Sequence, residues 1–292
     1  MQGISVIIPC YNREHLLREA IESVLAQEYG GPVEIVVADD GSSDRSVEIA
    51  ESFGPPVKVL RKPADCTEQG PGPARNRAIA ASSHPFLAFL DSDDIFLPGH
   101  LQRLASALES EPDVGMVFDE AKTICNGRMI VFPYPACLMQ SPDAHGMLLE
   151  PLPQTDSIMV RRSLLHDPDA PFDPELLFCE DNDLRIRIAE RHPVRFVKGF
   201  GSAIREHENR SINTSRREKL FHYDMLMLKK ATARYDYARH IVRAKKAKLY
   251  YFRAIGRYRE SDLLNFLRYF VAGFATSPGI YLQKFKEKVF KA

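Results

Sequence analysis

The sequence predicts an α/β fold: a mainly parallel sheet flanked by helices, continued by a C-terminal helical extension. Three observations predict it. Over the first 120 residues, short β-branched runs alternate with stretches of helical periodicity, the pattern of strands joined by crossover helices. One run, Phe86-Leu87-Ala88-Phe89-Leu90, is apolar throughout, as expected of a strand covered on both faces. From Arg216 onward, strand patterning gives way to basic, helical sequence.

Taken in order, Ile4-Ser5-Val6-Ile7-Ile8 is a strand closed by Pro9. Asn12 then reads as the N-cap of a helix carrying Leu16, Leu17, Ala20, Ile21, Val24 and Leu25 on one face. Gly30-Gly31-Pro32 ends it, and Val33 to Ala38 is the second strand, stopped by Asp39-Asp40-Gly41-Ser42-Ser43-Asp44. A short helix with Val47, Ile49 and Ala50 precedes the strand Val57 to Leu60. Pro73 opens a helix running to about Ala81. The Phe86 strand ends at Asp91-Ser92-Asp93-Asp94, Pro98 to Glu109 is helical, and Val114 to Phe118 is a strand. Between 120 and 175, eight prolines interrupt any long element, so loops and short strands are expected. Glu180 to Arg191 is a helix with Leu184 and Ile188 inward, and Val194 to Phe200 is a strand. Past Arg216, Gly256 and Pro278 mark breaks between three or four helices. The organisation is a domain at 1–215, with halves at 1–119 and 120–215, and a basic helical region at 216–292.

The 292 residues are 45% hydrophobic and 27% charged, which excludes a mostly disordered, collagen-like or disulfide-scaffold chain. The 39 basic and 39 acidic residues cancel, so bulk charge gives no case for nucleic acid. The distribution is uneven: residues 216–292 hold 19 Lys and Arg against 6 Asp and Glu, leaving an acidic body with a basic tail. Five scattered cysteines without a Cys-x-x-Cys pair fit a reducing compartment and argue against a zinc cluster. The start reads directly into a strand, without the pattern of a secretory leader. Phe266 to Ile280 is the longest apolar candidate, but Arg268, Ser277 and Pro278 break it, so no spanning helix is expected.

In open parallel sheets ligands bind beyond the carboxyl ends of the strands. The Asp39–Asp44 and Asp91–Asp94 clusters each follow a strand and so should share one rim. Three carboxylates in Asp91-Ser92-Asp93-Asp94 repel one another unless a cation or hydroxyl groups compensate, and hard oxygen ligands select Mg2+ or Mn2+. The alternative is a solvated acidic turn capping the helix near Pro98. Asp39-Asp40-Gly41-Ser42-Ser43-Asp44 suits either a helix cap made by the serines or an aspartate receiving hydrogen bonds from a base or ribose. Gly70-Pro71-Gly72-Pro73-Ala74-Arg75-Asn76-Arg77 leads a glycine-rich turn into a helix N-terminus, a weak anion-binding signal strengthened by two arginines. Glu180-Asp181-Asn182-Asp183 places acids in a first helical turn, as caps or as a general base. His207, in Arg205-Glu206-His207, is the best placed of nine histidines for a metal or phosphate contact.

The ordered set resembles the inverting, non-processive family 2 glycosyltransferases of GT-A fold. The matching stretches are Ser5 to Asn12, Asp39 to Asp44, Gly72 to Ala78, Leu90 to Asp94, Glu180 to Leu184 and the Arg205/His207 segment, together covering roughly residues 3–212. The resemblance implies a Rossmann-like, nucleotide-sugar-binding half at 1–119 and an acceptor-side half at 120–215. It implies a UDP-sugar donor, with Pro9, Tyr11, Asp40, Arg75 and Asp93 toward the nucleotide. Asp94, Asp93, Asp91 and His207 would surround Mn2+ or Mg2+. Asp181 would be the catalytic base, with Glu180 as the fallback. A cation neutralises the departing diphosphate while a carboxylate takes the acceptor proton, giving one displacement with inversion. The acceptor would be a hydroxyl of a glycan or lipid-linked molecule in bacterial-type cell-surface polysaccharide assembly. The Gln-x-x-Arg-Trp signature of processive members is absent after His207, so transfer of one or a few sugars is expected.

The tail interleaves Lys and Arg with Tyr235, Tyr237, Tyr250, Tyr251, Phe252 and Tyr258. Such helices can lie on an anionic membrane, pack on the acidic domain, or pack on a second copy as a homodimer; nucleic acid is not expected as a partner. The expected location is the cytoplasm, with peripheral contact at the cytoplasmic face of the membrane. Two other readings compete. A nucleotidyltransferase should carry a basic glycine-rich loop after the first strand, where Pro9-Cys10-Tyr11-Asn12-Arg13 stands instead. A non-catalytic nucleotide-sugar-binding module would be indifferent to Asp181→Asn.

Overall fold

The computed structural model describes residues 1–131, 133–150, 152–168, 170–206 and 214–289, with the side chains of 214–218 and 284–289 outside the description. The chain divides into two units, Met1–Met147 with Pro151–Arg210, and Leu148–Glu150 with Ser211–Ala292.

The first unit is built on a mixed sheet. Its elements run β1 (Ile4–Cys10), α1 (Leu17–Leu25), β2 (Val33–Asp39), α2 (Ser46–Glu51), β3 (Val57–Leu60), α3 (Pro71–Ala80) and β4 (Phe86–Phe89). They continue as β5 (Ile95–Phe96), α4 (His100–Ser110), β6 (Met116–Cys125), β7 (Arg128–Val131), α5 (Ala136–Gln140), α6 (Ala144–Leu149, its last two residues assigned to the second unit), β8 (Ile158–Arg161), α7 (Glu180–Ala189) and β9 (Val194–Arg205). The strand order is β3-β2-β1-β4-β8-β6-β9-β5, with β7 on β6. The β3-β2-β1-β4 half is parallel, whereas β8 runs antiparallel to both β4 and β6.

All seven residues of β1 are buried, because helices cover both faces of the central strands. Ile4, Val6 and Ile8 meet Leu17 and Ile21 of α1 and Leu101, Leu104 and Leu108 of α4 in one core cluster. Each such fully buried aliphatic side chain is worth about 1.5–3 kcal/mol. Register then sets the functional rim. Cys10 lies opposite Asp39, and Ile7 opposite Phe89, so β1, β2 and β4 end at one level.

Several local expectations are corrected. Asn12 is not the cap of α1: it takes a left-handed φ of 50°, and α1 begins at Leu17. Its Oδ1 instead accepts from Ser43 N at 2.9 Å, and its N–H donates to Ser42 Oγ at 2.9 Å, tying the loops after β1 and β2 together. The serine hydroxyls therefore do not cap α2, whose first residue Ser46 donates its N–H to Asp44 Oδ1 at 3.0 Å. Helix α3 begins at Pro71 rather than Pro73. Strands β6 and β9 outrun their apolar stretches because each satisfies the other's backbone in parallel pairing, with a register shift around Glu120. The short strands β5 and β7 carry too few residues to show a period.

The second unit contains α8 (Thr214–Arg234), α9 (Arg239–Arg259), α10 (Leu263–Thr276) and α11 (Pro278–Val289). Gly256 lies inside α9 and breaks nothing; the reversal comes at Ser261, with φ of 61°. Residues 148–150 join this unit through Lys248, whose Nζ donates to Leu149 O at 3.3 Å and pairs with Glu150 at 3.1 Å. No helix among the described residues is long and apolar enough to cross a membrane.

Candidate active site

At the rim of β1 and β2, Pro9 is buried in the strand while Tyr11 projects into solvent. Asp39 turns back to receive the N–H groups of Gly41 and Ser42, leaving Asp40 to face the rim. Asp40 accepts from Gly70 N at 2.7 Å and pairs with Lys62 at 3.2 Å and Arg77 at 3.4 Å. It thereby fastens the loop before α3 to the end of β2.

The carboxylates after β4 converge. Asp91, Asp93 and Asp94 each offer an oxygen within 4.8 Å of the others. Asp94 is fully buried and accepts from Arg205 N at 2.8 Å, and Asp93 pairs with Arg13 at 3.3 Å. Arg75 is buried and bridges Asp91 at 2.6 Å and Glu180 at 3.0 Å, its guanidinium lying over the Phe172 ring. Burial disfavours that charge, but Asp91 and Glu180 outweigh it and hold Arg75 protonated. Of the residues expected at the nucleotide, Arg75 thus has both Nη atoms engaged.

The donor set suits a hard divalent cation. Three carboxylates bring oxygens within 4.8 Å of one another, with no sulfur or imidazole among them. Burial raises the pKa of Asp91 despite Arg75, and Asp94 and Asp93 add to the rise, as expected where negative charge gathers. His207 lies outside the described residues.

One acid at this cluster was not singled out in the sequence. Asp156 stands in the 3-10 turn just before β8, and its Oδ1 accepts from Asp91 N at 2.7 Å. Burial, then Asp91 and Asp94, push its carboxyl well above the usual range, and it shares a hydrogen bond with Asp94. Because β8 runs antiparallel to β4, its beginning lies beside β4's end. The signal was an acid before a β-branched run, Asp156-Ser157-Ile158-Met159-Val160, where a rule for parallel strands looks only after one.

The two candidate bases differ sharply. Glu180 and Asp181 open α7 behind Cys179, which adopts φ of 65°. Glu180 is held against Arg75, its side chain only 8% exposed, whereas Asp181 is 29% exposed. Burial and the neighbouring Asp181 charge raise Glu180 to about 7, Arg75 only partly opposing them. Burial acts on Asp181 too, but Arg185 and Arg75 outweigh it, and hydrogen bonds from Thr155 and Arg185 help bring it down to about 2. Asp181 Oδ2 accepts from Thr155 Oγ1 at 2.9 Å and from Arg185 Nη2 at 2.8 Å. A chain of hydrogen bonds therefore runs from Asp94 through Asp156, Asp91 and Arg75 to Glu180, the residue next to Asp181.

This curled α/β sheet, with an acidic cluster at its rim, has the GT-A architecture. The glycosyl transferase family 2 model matches residues 5–163, more than half of the chain, and the chain belongs to that family. It is 38% identical over 106 residues to the UDP-Glc:alpha-D-GlcNAc-diphosphoundecaprenol beta-1,3-glucosyltransferase WfgD of Escherichia coli, covering 36% of this chain and 40% of that one. The matches span about two-fifths or less of the curated relatives' lengths. Staphylococcus aureus TarS 1–349 in complex with UDP-GlcNAc shares the fold at TM-score 0.69 and 20% identity, over 94% of this chain and 81% of that one. The mannosyltransferase PcManGT from Pyrobaculum calidifontis, in complex with GDP-Man and Mn2+, does so at TM-score 0.66 and 17% identity, over 99% and 80%.

Proposed function

We propose that the chain is an inverting, metal-dependent glycosyltransferase. It moves a sugar from a nucleotide-sugar, of the UDP type, to a hydroxyl of a glycan or lipid-linked acceptor in cell-surface polysaccharide assembly. The observation that carries this reading is Arg75, whose one guanidinium joins Asp91 of the acidic cluster to Glu180 beside Asp181, at 2.6 and 3.0 Å. Groups suited to a diphosphate-bound cation and groups suited to a base thus belong to one network. TarS in complex with UDP-GlcNAc and WfgD with its UDP-Glc donor support the nucleotide and, for WfgD, the lipid-linked acceptor.

In this mechanism Asp94, Asp93 and Asp91 would hold Mn2+ or Mg2+, with His207 joining from outside the described residues. The cation would supply charge neutralisation for the departing diphosphate. Pro9, Tyr11, Asp40 and Asp93 shape the nucleotide side, and Arg75 acts there through the carboxylates it grips. Asp181, ionised at neutral pH, receives the acceptor hydroxyl's proton. The acceptor oxygen bonds to the anomeric carbon as the bond to phosphate oxygen breaks, and the diphosphate leaves with that electron pair. Attack opposite the leaving group inverts the anomeric centre. Arg185 and Thr155 hold the Asp181 carboxylate in place, and Glu180 keeps Arg75 in place.

The test is transfer by Asp181→Asn with nucleoside diphosphate affinity measured in parallel. Loss of a positioned general base costs about 10²–10⁴ in rate, so transfer should fall by that factor with UDP affinity retained. Undiminished transfer rejects Asp181 as the base. A thermal-shift panel of nucleotide-sugars, with and without Mn2+, ranks the donor, because ligands that bind the folded state raise Tm.

A further inference from the structure

Helix α10 presents a largely exposed apolar face. Leu263, Leu264, Leu267, Phe270, Val271 and Phe274 recur at one-, three- and four-residue steps, with exposures from 39% at Phe270 to 80% at Leu264. The opposite side is packed. Tyr269 meets Phe221 edge-on at 5.4 Å and Tyr250 at a tilt at 6.4 Å, and Tyr281 covers the buried Gly273 and meets the rings of Phe270 and Phe274 edge-on, leaving both partly exposed. On neighbouring α9, Phe252 and Tyr258 are also exposed, at 64% and 59%.

Cations border this face. Arg268 and Arg259 are exposed on α10 and at the end of α9. Arg243, also exposed, reaches the far end of α10, its Nε donating to Thr276 O at 3.0 Å. The acids nearest in sequence are neutralised locally: Glu260 and Asp262 pair with Arg257 at 3.2 and 3.4 Å.

We propose that this face docks on an anionic lipid bilayer, with α10 lying in the plane of the interface. The inference goes beyond the transferase reading and does not depend on it. At about 1.5 Å per residue, the 14 residues of α10 reach about 21 Å, short of a hydrocarbon core of about 30 Å. Apolar side chains can therefore enter the headgroup boundary while the bordering arginines stay with lipid phosphates. Charge selects the occupant. With 19 basic against 6 acidic residues over 216–292, two copies meeting here would set like charges together, whereas an anionic surface complements them.

The full chain should float with vesicles of phosphatidylcholine and phosphatidylglycerol, and not with phosphatidylcholine alone. Leu264→Ser combined with Leu267→Ser and Val271→Ser should lower the partition coefficient by at least about tenfold. Arg259→Gln with Arg268→Gln should lower it by about thirtyfold at low salt, since each interfacial cation contributes about 1 kcal/mol. Equal flotation of the parent and apolar variants overturns the proposal. So does a concentration-dependent dimer in sedimentation, lost on the serine substitutions, with no flotation of the parent. Because the chain contains no tryptophan, Leu267→Trp adds a single fluorophore that keeps the test decisive if the triple variant does not fold. Its emission should shift to the blue on phosphatidylglycerol vesicles; unchanged emission overturns the proposal.

Discussion

Glu180→Gln should remove a specific part of the protein's stability-versus-pH curve. In the folded chain, burial and the adjacent Asp181 raise the Glu180 pKa from 4.5 to about 7. The folded state therefore binds this proton more tightly than the unfolded state. The contribution to stability is fully present below pH 4.5, and it is lost as pH rises through about 7. At about 1.36 kcal/mol per pKa unit, the loss across that window is about 3 kcal/mol. Glutamine keeps an oxygen for the Arg75 Nη1 donor, 3.0 Å away in the parent, and has no proton to lose. Urea unfolding at pH 5 and pH 8 measures the effect. The drop in stability between the two should be about 2–3 kcal/mol smaller in the variant. An identical drop in both proteins would refute the electrostatic account of this site.

Three further outcomes are expected. The acidic limb of kcat/KM should lie far below neutrality if Asp181 takes the proton, because Arg185 and Arg75 lower its pKa to about 2; a limb near 7 would transfer that role to Glu180. Asp94→Asn should weaken Mn2+ binding measured calorimetrically by about tenfold or more, and unchanged affinity would exclude Asp94 from the cation site. Gly201→Ala should destabilise the first unit by about 1–3 kcal/mol or prevent its folding, since a Cβ there would collide with His100 Nδ1 and the Asp119 carboxylate; an unchanged Tm would contradict the packing between α4 and β9.

Much of the architecture was legible because it rests on local physics. β-branched runs separated by helical periods can bury their apolar faces only as a sheet with helices against it. Parallel pairing then carries the ends of β1, β2 and β4 to one rim, so Asp40 and Asp91 follow strands in sequence and face one edge in space. Sequence shows only the first part of β6, because Asp119, Glu120 and Lys122 break its apolar run, and only the first part of β9, because Gly201-Ser202 breaks that one; parallel pairing of the two strands satisfies the backbone beyond.

Sequence alone determined which residue types stand at the strand ends and helix starts: the Asp91–Asp94 cluster, Arg75 and the Glu180-Asp181 pair. Those are properties of short segments, fixed by periodicity and turn chemistry. Tertiary structure decided how the groups act on one another. The antiparallel entry of β8 brings Asp156 to Asp91, and burial of Arg75 joins two carboxylates 89 residues apart in the chain. Two adjacent acids separate, Glu180 rising to about 7 and Asp181 falling to about 2, because one lies deeper while the other meets Arg185. Ionisation depends on desolvation and on charges a few ångströms away, and only the folded chain sets those distances.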